Sequence, residues 1–340
     1  MSKTSAFFTP YSSTASSDSG VVTPTSYALS LWAAGTLNGP AVCALAAHRV
    51  ERQFGEDGFR PARFTIDMFK VAREVPTFTR GRLVRAGRRI RVAELDIVQC
   101  GSAAQCESAA QFDSANTSDS DGAGADEVVV ARATTVFLRT SANPPGTRWQ
   151  RPDEAVTFRP PTDPIPDSDL MSRFSSDVPD TDVPDTDAPK AGAPVADSSK
   201  SDGTPGASNS AWNTDMGAHQ NGGRKRLWSH PLPAIEGEEA TAFVKAVTAA
   251  ESTSLVTNWG SSGIGFINCD LSVELARLPQ GDWMGVEADS HIESDGISIG
   301  TAGLFDSHGM FGMGIVTAVN NAAAEIDFTS VDLTDRYREA

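Results

Sequence analysis

The sequence of 340 residues has only four cysteines and no long hydrophobic run. The cysteines show no spacing typical of metal ligands, so no metal site is predicted. The longest apolar runs fall well short of the roughly 20 residues that a membrane-spanning helix needs. The N-terminus lacks the charged, apolar and small-residue pattern of a secretory signal. These absences predict a cytoplasmic protein without a membrane partner, in which Cys43 and Cys269 are buried free thiols in apolar stretches.

Basic residues are scarce in two stretches that carry most of the negative charge. Residues 101–127 contain six acidic residues and no Lys or Arg, and residues 161–210 contain ten Asp against three basic residues. These stretches contribute −6 and −7 to the net charge of −16, which leaves −3 for the rest of the chain. The acidity therefore belongs to solvated segments and does not indicate a binding face for a cationic partner.

Two regions of the chain show hydrophobic periodicity in the same order. In the first, Asn38-Gly39-Pro40 is typical of a helix start, because proline loses no hydrogen bond at the first helical position. Apolar residues follow at helical spacing as far as Phe54, and Gly55 is a typical helix end. Four β-prone segments come next. In the second region a helix over 238–258 is again followed by four predicted strands. The pattern therefore predicts a helix and four strands, twice.

The remaining segments lack this periodicity and divide the chain. The predicted divisions are a flexible N-terminus (1–24), an N-terminal domain (25–142) with a disordered insertion (100–126), a disordered acidic linker (143–223), a C-terminal domain (224–330) and a C-terminal tail (331–340). The linker is assigned because it is rich in Pro, Ala, Ser and Gly and contains a repeated Val-Pro-Asp-Thr-Asp.

Several short motifs occur in a specific order in the two regions. The motifs are Ser30-Leu31-Trp32, Leu37-Asn38-Gly39-Pro40, Pro61–Met68, Ile267–Val273, Arg277–Trp283 and Leu304–Gly309. Together they resemble the double-hotdog acyl-CoA thioesterases of the bacterial thioesterase II type. The resemblance implies an α+β fold of two tandem hotdog domains, each a long helix wrapped by a curved antiparallel sheet. It also implies an acyl-CoA substrate, no cofactor and possible homo-oligomers.

The resemblance also implies positions for the active site. Such thioesterases use an Asp at the start of the second-domain helix, a Thr on the following strand and a Gln on the last strand. Carried over by position, these fall on Glu251, Cys269 and Thr317, and none of the three residues is identical. Glu251 would activate water. Asn38, Gly39 and Asn268 would bind the substrate, because the free N–H groups of a helix N-terminus stabilise a thioester oxygen as it gains charge.

Each of these residues also has a structural interpretation. Glu251 could be an exposed helix carboxylate, and Cys269 could be packed in the core. A group of arginines in the first region could bind the phosphates of CoA or could cover the solvent face of a hairpin. These arginines are Arg80, Arg82, Arg85, Arg88, Arg89 and Arg91. They lack interleaved aromatic residues, so nucleic-acid binding is not predicted.

Three functions stay open at this point. The first is hydrolysis of acyl-CoA to a free acid and CoA. The second is binding of acyl-CoA without turnover, because all three catalytic positions are substituted. The third is a hydratase or dehydratase, which in a hotdog needs a histidine near an acidic residue, and no histidine lies in a suggestive motif.

Overall fold

A computed structural model describes residues 5–11, 20–115, 127–149, 158–162, 172–177 and 212–330. The predicted C-terminal tail, most of the predicted linker and the second part of the insertion lie outside these residues. The predicted domain boundaries stay predictions.

The N-terminal hotdog forms around α1 (Gly39–Phe54). The Asn38 side chain accepts a hydrogen bond from the Ala41 N–H and so caps the helix. Small buried residues, Cys43, Ala44 and Ala47, let α1 approach the sheet closely. The strands before and after this helix are β1 (Phe8–Pro10), β2 (Val22–Pro24), β3 (Phe59–Met68), β4 (Thr77–Ala86), β5 (Ile90–Cys100) and β6 (Glu127–Arg139).

The C-terminal hotdog repeats this order with an interrupted helix. The predicted single helix is α3 (Ala242–Glu251) followed by α4 (Thr253–Asn258), which meet at Ser252. The strands of this half are β7 (Arg173–Ser176), β8 (Lys225–Ser229), β9 (Trp259–Gly260), β10 (Gly263–Ile264), β11 (Phe266–Asn268), β12 (Asp270–Leu275), β13 (Met284–Ser294), β14 (Ile297–Asp306) and β15 (Gly309–Asn320). The turn at Asp295-Gly296 between β13 and β14 has both φ angles positive, as a tight hairpin requires.

One antiparallel sheet joins the two halves. Its strand order is β1-β2-β4-β5-β6-β3-β12-β15-β14-β13-β8-β7. The junction pairs β3 with β12, where Ile66 lies opposite Leu271. On the inner face α1 packs against α3. The helices are antiparallel, because Gly39 at the start of α1 contacts Glu251 at the end of α3, and Glu51 near the end of α1 contacts Thr241 at the start of α3. The predicted double hotdog is confirmed.

Three segments are more ordered than predicted. They are parts of the N-terminus, which was predicted to be flexible, and parts of the linker and the insertion, which were predicted to be disordered. In the N-terminus, Phe8 is fully buried and β1 pairs with β2. In the linker, β7 pairs with β8, and Phe158 stacks on Phe305 at a ring distance of 4.5 Å. Single aromatic residues without periodicity gave no sign of this packing in the sequence, yet their burial offsets the entropy of ordering short segments.

The first part of the insertion is also ordered. Residues 103–115 form α2, and Cys100 is joined to Cys106 by a disulfide that packs near Phe78. The sequence did not predict this pairing. None of the helices in the described part of the chain is long and apolar enough to cross a membrane.

Candidate active site

Glu251 ends α3 at the interruption of the second helix. Its side chain is buried, with 8% of the residue exposed, so the interpretation as an exposed helix carboxylate is wrong. The apolar residues of α3 direct this helix into the core, since Val247 and Ala250 are fully buried. Glu251 shares their environment because it follows them within one helical turn.

Gly39 lies directly against the carboxyl group of Glu251. A methyl group placed on Gly39 would overlap Glu251 Oε1, so only a glycine permits this approach. Gly39 is the first residue of α1, where the positive end of the helix dipole lies. The first domain thus supplies a helix N-terminus and the second a carboxylate, and the two form one composite site.

Asn268 completes this group from the sheet side. Its Nδ2 donates a hydrogen bond of 3.3 Å to Glu251 Oε1 and one of 3.4 Å to the Asp270 carbonyl. Burial raises the pKa of Glu251 to about 8, and the hydrogen bond from Asn268 opposes that rise. A carboxyl group with a pKa in this range can accept and return a proton near neutral pH.

Asn38 has a structural role beside this site. Its Oδ1 caps α1, and its Nδ2 donates to the carbonyls of Tyr27 (2.8 Å) and Leu29 (3.2 Å). Both ends of the amide are therefore engaged in holding the helix start in place. The predicted contact of Asn38 with substrate stays a prediction.

Cys269 differs from the prediction of a buried thiol. It is exposed, and its Sγ donates to the Thr317 carbonyl at 3.3 Å. It lies at the bend between β11, which ends at Asn268, and β12, which begins at Asp270, and it makes no contact with Glu251 among those described. Cys43, by contrast, is buried as predicted, and burial together with the nearby charge of Glu251 raises the pKa of its thiol.

Thr317 lies on the outer face of the sheet. Its neighbours Val316 and Ala318 are buried on the helix side, and its partner on β14, Ile299, is 47% exposed. The structure therefore brings Glu251, Asn268 and Gly39 together and leaves Cys269 and Thr317 outside. The predicted catalytic roles of Cys269 and Thr317 stay predictions, and register with the neighbouring strands fixes the side of the sheet on which Thr317 lies.

Thr253 is a buried hydroxyl that the sequence did not single out as a site residue. It is fully buried, its Oγ1 has no hydrogen-bond partner among the described atoms, and it lies against Gly314 of β15. Thr253 begins α4 after the interruption at Ser252, so it belongs to a different helix from Glu251.

The opposite end of the helix pair holds a second polar group. Thr241 caps α3 and donates to Glu51 Oε2 at 2.5 Å. One turn earlier in α1, His48 Nε2 lies 3.3 Å from Glu238 Oε2, which also binds Arg52 at 3.1 Å. A histidine near a carboxylate, as a hotdog hydratase would need, therefore lies at this end, away from Glu251.

Several arginines of the first region are engaged in ion pairs. Arg80 contacts Glu127 at 2.8 Å, Arg82 contacts Glu94 at 2.6 Å, and Arg91 contacts Glu56. These pairs fit the solvent face of a hairpin better than a phosphate site.

Comparisons with known proteins concern the family and the fold. Residues 176–317 match the family of the acyl-CoA thioesterase C-terminal domain, and this match begins within the predicted linker. No curated protein matches the chain by sequence.

Solved structures with a similar course of the chain include thioesterases. The acyl-CoA thioesterase II TesB2 of Mycobacterium marinum is 12% identical, with 89% of this chain and 92% of that chain covered and a TM-score of 0.49. The TesB protein of Mycobacterium avium subspecies paratuberculosis is 11% identical, with 89% and 93% covered and a TM-score of 0.48. A hotdog-fold protein of Alicyclobacillus acidocaldarius is 12% identical, with 88% and 92% covered and a TM-score of 0.49.

The fold assignment rests on the two wrapped helices and their shared sheet. The family match shows that residues 176–317 resemble the C-terminal domain of acyl-CoA thioesterases.

Proposed function

We propose that the chain is an acyl-CoA thioesterase that hydrolyses acyl-CoA to a free acid and CoA. The observation that carries the proposal is the buried Glu251 carboxyl group against Gly39 at the start of α1, with Asn268 hydrogen-bonded to it. A base next to a helix N-terminus combines the two groups that thioester hydrolysis needs.

Each residue has one role in the proposed reaction. The thioester carbonyl lies at the N-terminus of α1, whose free N–H groups stabilise the oxygen as it becomes negative. Ionised Glu251 takes a proton from water as the water oxygen attacks the carbonyl carbon. The carbon–sulfur bond then breaks, and Glu251 returns the proton to the departing sulfur, so CoA leaves as a thiol. Asn268 orients the carboxyl group and favours its ionised form.

A second candidate, an acyl-CoA binder without turnover, is supported by the positions of Cys269 and Thr317. Both residues lie outside the group formed around Glu251. Of the three catalytic positions that the family resemblance implies, only Glu251 therefore belongs to this group. A binder would keep the helix N-terminus as an acyl-CoA site and lack an adequately positioned water.

A product assay separates the candidates. Full-length protein is incubated with acyl-CoAs of increasing chain length, and free CoA, acid and enoyl-CoA are quantified by chromatography. A thiol reagent is not used to detect CoA, because it would also react with the exposed Cys269 thiol. Release of CoA and acid that is lost in Glu251→Gln supports the thioesterase. Calorimetric binding of acyl-CoA without release by the wild type identifies the binder, and an enoyl or hydrated product identifies the hydratase.

A further inference from the structure

A disulfide joins the last residue of β5, Cys100, to Cys106 of α2. The two cysteines are only 6 residues apart in the chain. A disulfide stabilises a fold mainly by restricting the unfolded chain, and this effect is smallest when the closed loop is short. The bond therefore adds little to the stability of the whole domain, and its role is local to the surface that α2 covers.

Helix α2 has few other contacts that hold it on the sheet. Among residues 103–110 only Cys106 is buried, while Ala109 and Ala110 are partly buried against a small cluster that contains Phe78 and Val98. The side chains of two alanines bury little apolar area, and an isolated helix of 13 residues is marginally stable in water. Opening of the disulfide therefore frees α2 to leave the sheet and exposes Phe78.

The disulfide also lies against the segment 72–76, which precedes β4. The Pro76 carbonyl oxygen lies 3.4 Å from Cys106 Sγ and accepts a hydrogen bond of 3.4 Å from the Cys100 N–H. The side chain of Gln99, the residue before Cys100, accepts from the Arg73 N–H and donates to the Arg73 carbonyl, both at 2.8 Å. The end of β5 and the disulfide together fix this segment.

The segment 72–76 in turn holds the loop that leads into α1. The Ala72 carbonyl accepts a hydrogen bond of 2.9 Å from the Leu37 N–H. The Glu74 N–H donates to the Gly35 carbonyl, also at 2.9 Å. The first residue of α1 follows Leu37 by two positions and lies against the carboxyl group of Glu251. Contacts thus run without a break from the disulfide to the candidate active site.

We propose that Cys100 and Cys106 are a redox-active pair that regulates the candidate active site, an inference that rests on the proposed function. The element with two states is α2, which is docked while the disulfide is closed and released once it is open. Release of α2 removes the cover of the segment 72–76 and loosens the loop before α1. The helix start then no longer holds a fixed position against Glu251, and turnover falls.

The partner in this reaction is a dithiol reductant. One thiolate of the reductant attacks one sulfur of the disulfide and forms a mixed disulfide, and the other cysteine leaves as a thiolate that takes up a proton. The second thiolate of the reductant then displaces the remaining cysteine, which is protonated in the same way. Two electrons pass to the two cysteines, and the reductant ends as a cyclic disulfide.

Alkylation followed by peptide mass spectrometry tests the pair itself. Full-length protein is treated with iodoacetamide either directly or after incubation with dithiothreitol and desalting. Cys100 and Cys106 are expected to be linked in the untreated protein and alkylated after reduction. The exposed Cys269 should react in both samples and the buried Cys43 in neither, which shows that the reduced protein is still folded.

Hydrogen exchange and kinetics test the regulation. Reduction should speed amide exchange in residues 35–39 and 72–78 and lower kcat/KM for acyl-CoA by about tenfold, since a misplacement near 1 Å costs about 10²-fold. Cys106→Ser should show both changes without a reductant. Ser108→Ala, at an exposed residue of the same helix, is the matched control and should respond to dithiothreitol as the wild type does.

Two results would overturn the proposal. One is alkylation of both cysteines in the untreated protein. The other is a reduced wild type whose exchange in residues 35–39 and whose kcat/KM equal those of the oxidised protein, a comparison that holds even if Cys106→Ser does not fold. If neither redox state hydrolyses acyl-CoA, the proposed function fails. In that case a redox-dependent change in exchange and in calorimetric acyl-CoA affinity supports the regulation, and unchanged values overturn it.

Discussion

The two ends of the pair formed by α1 and α3 show the same arrangement of a glutamate against a helix N-terminus, but the two glutamates differ in their exposure to solvent. At each end a glutamate near the C-terminus of one helix meets the N-terminus of the other: Glu251 with Gly39, and Glu51 with Thr241. Glu251 is buried and receives one hydrogen bond from an amide. Glu51 receives a hydrogen bond from the Thr241 hydroxyl and is only half-buried.

The pKa values of the two glutamates express this difference. Burial raises the pKa of Glu51, and the hydrogen bond from Thr241 lowers it. Burial raises the pKa of Glu251 further, to about 8. The comparison teaches that the pairing of a carboxylate with a helix end does not by itself make a base, because solvation sets the proton affinity.

The largest expected difference between the ends is in turnover. Glu251→Gln removes the base and is expected to lower kcat by about 10²–10⁴-fold with little change in acyl-CoA affinity. Glu51→Gln, the matched control, is expected to keep kcat within about threefold, since Glu51 takes no part in the reaction. Steady-state kinetics of both variants measures the contrast, and equal losses would show that the two ends are not functionally distinct.

A methyl group at Gly39 should disturb the end of the helix pair that holds Glu251 and leave the end that holds Glu51 unchanged. Gly39→Ala would overlap Glu251 Oε1 and displace the carboxyl group, with an expected loss in kcat of about 10²-fold, typical of a misplacement near 1 Å. Gly260→Ala is the control, because its nearest neighbour, the Gly263 carbonyl oxygen, would lie at 3.9 Å. Comparable kcat values for Gly39→Ala and the wild type would disprove the contact.

The pH dependence of activity should follow Glu251. Because only the ionised carboxylate accepts a proton, a pKa of about 8 predicts that kcat/KM rises nearly tenfold from pH 7 to pH 9. Asn268→Ala removes the hydrogen bond that favours ionisation, so it should move the midpoint to higher pH. A profile that is flat above pH 6 in the wild type would show that another group is the base.

Stability should depend on the same proton. Folded Glu251 keeps its proton up to about pH 8, whereas the ordinary pKa is 4.5, so the folded state binds more protons between these values. The free energy of unfolding contributed by this group is therefore fully present below pH 4.5 and falls as pH rises to about 8, by a few kcal/mol at roughly 1.4 per pKa unit. Chemical denaturation of Glu251→Gln should lack this component of the slope.

The smallest expected effect is on stability, at the end of the helix pair that holds Glu51 and Thr241. Thr241→Ala removes the N-cap of α3 and should lower the free energy of unfolding by about 1 kcal/mol. Activity should remain unchanged, because Thr241 contacts Glu51 and not Glu251. A loss of activity without a loss of stability would place the second end in the reaction.

Local chemistry in the sequence was sufficient for α1 and not for β1, β7 or α2. Asn38-Gly39-Pro40 predicted the start of α1 and Gly55 predicted its end, because each depends on a few adjacent residues. The family motifs identified Glu251 as a candidate. They could not place Thr317 relative to Glu251, since register with the neighbouring strands fixes the side of the sheet on which a residue lies.

The sequence by itself determined two helix-and-strand units and the ends of α1, because these follow from propensity and periodicity. Only the tertiary structure decided that Gly39 of one domain lies against Glu251 of the other, and that Phe158 packs on Phe305. The physical reason is that these contacts join residues far apart in the chain. Burial, which gives Glu251 its raised pKa, exists only once both domains have packed together.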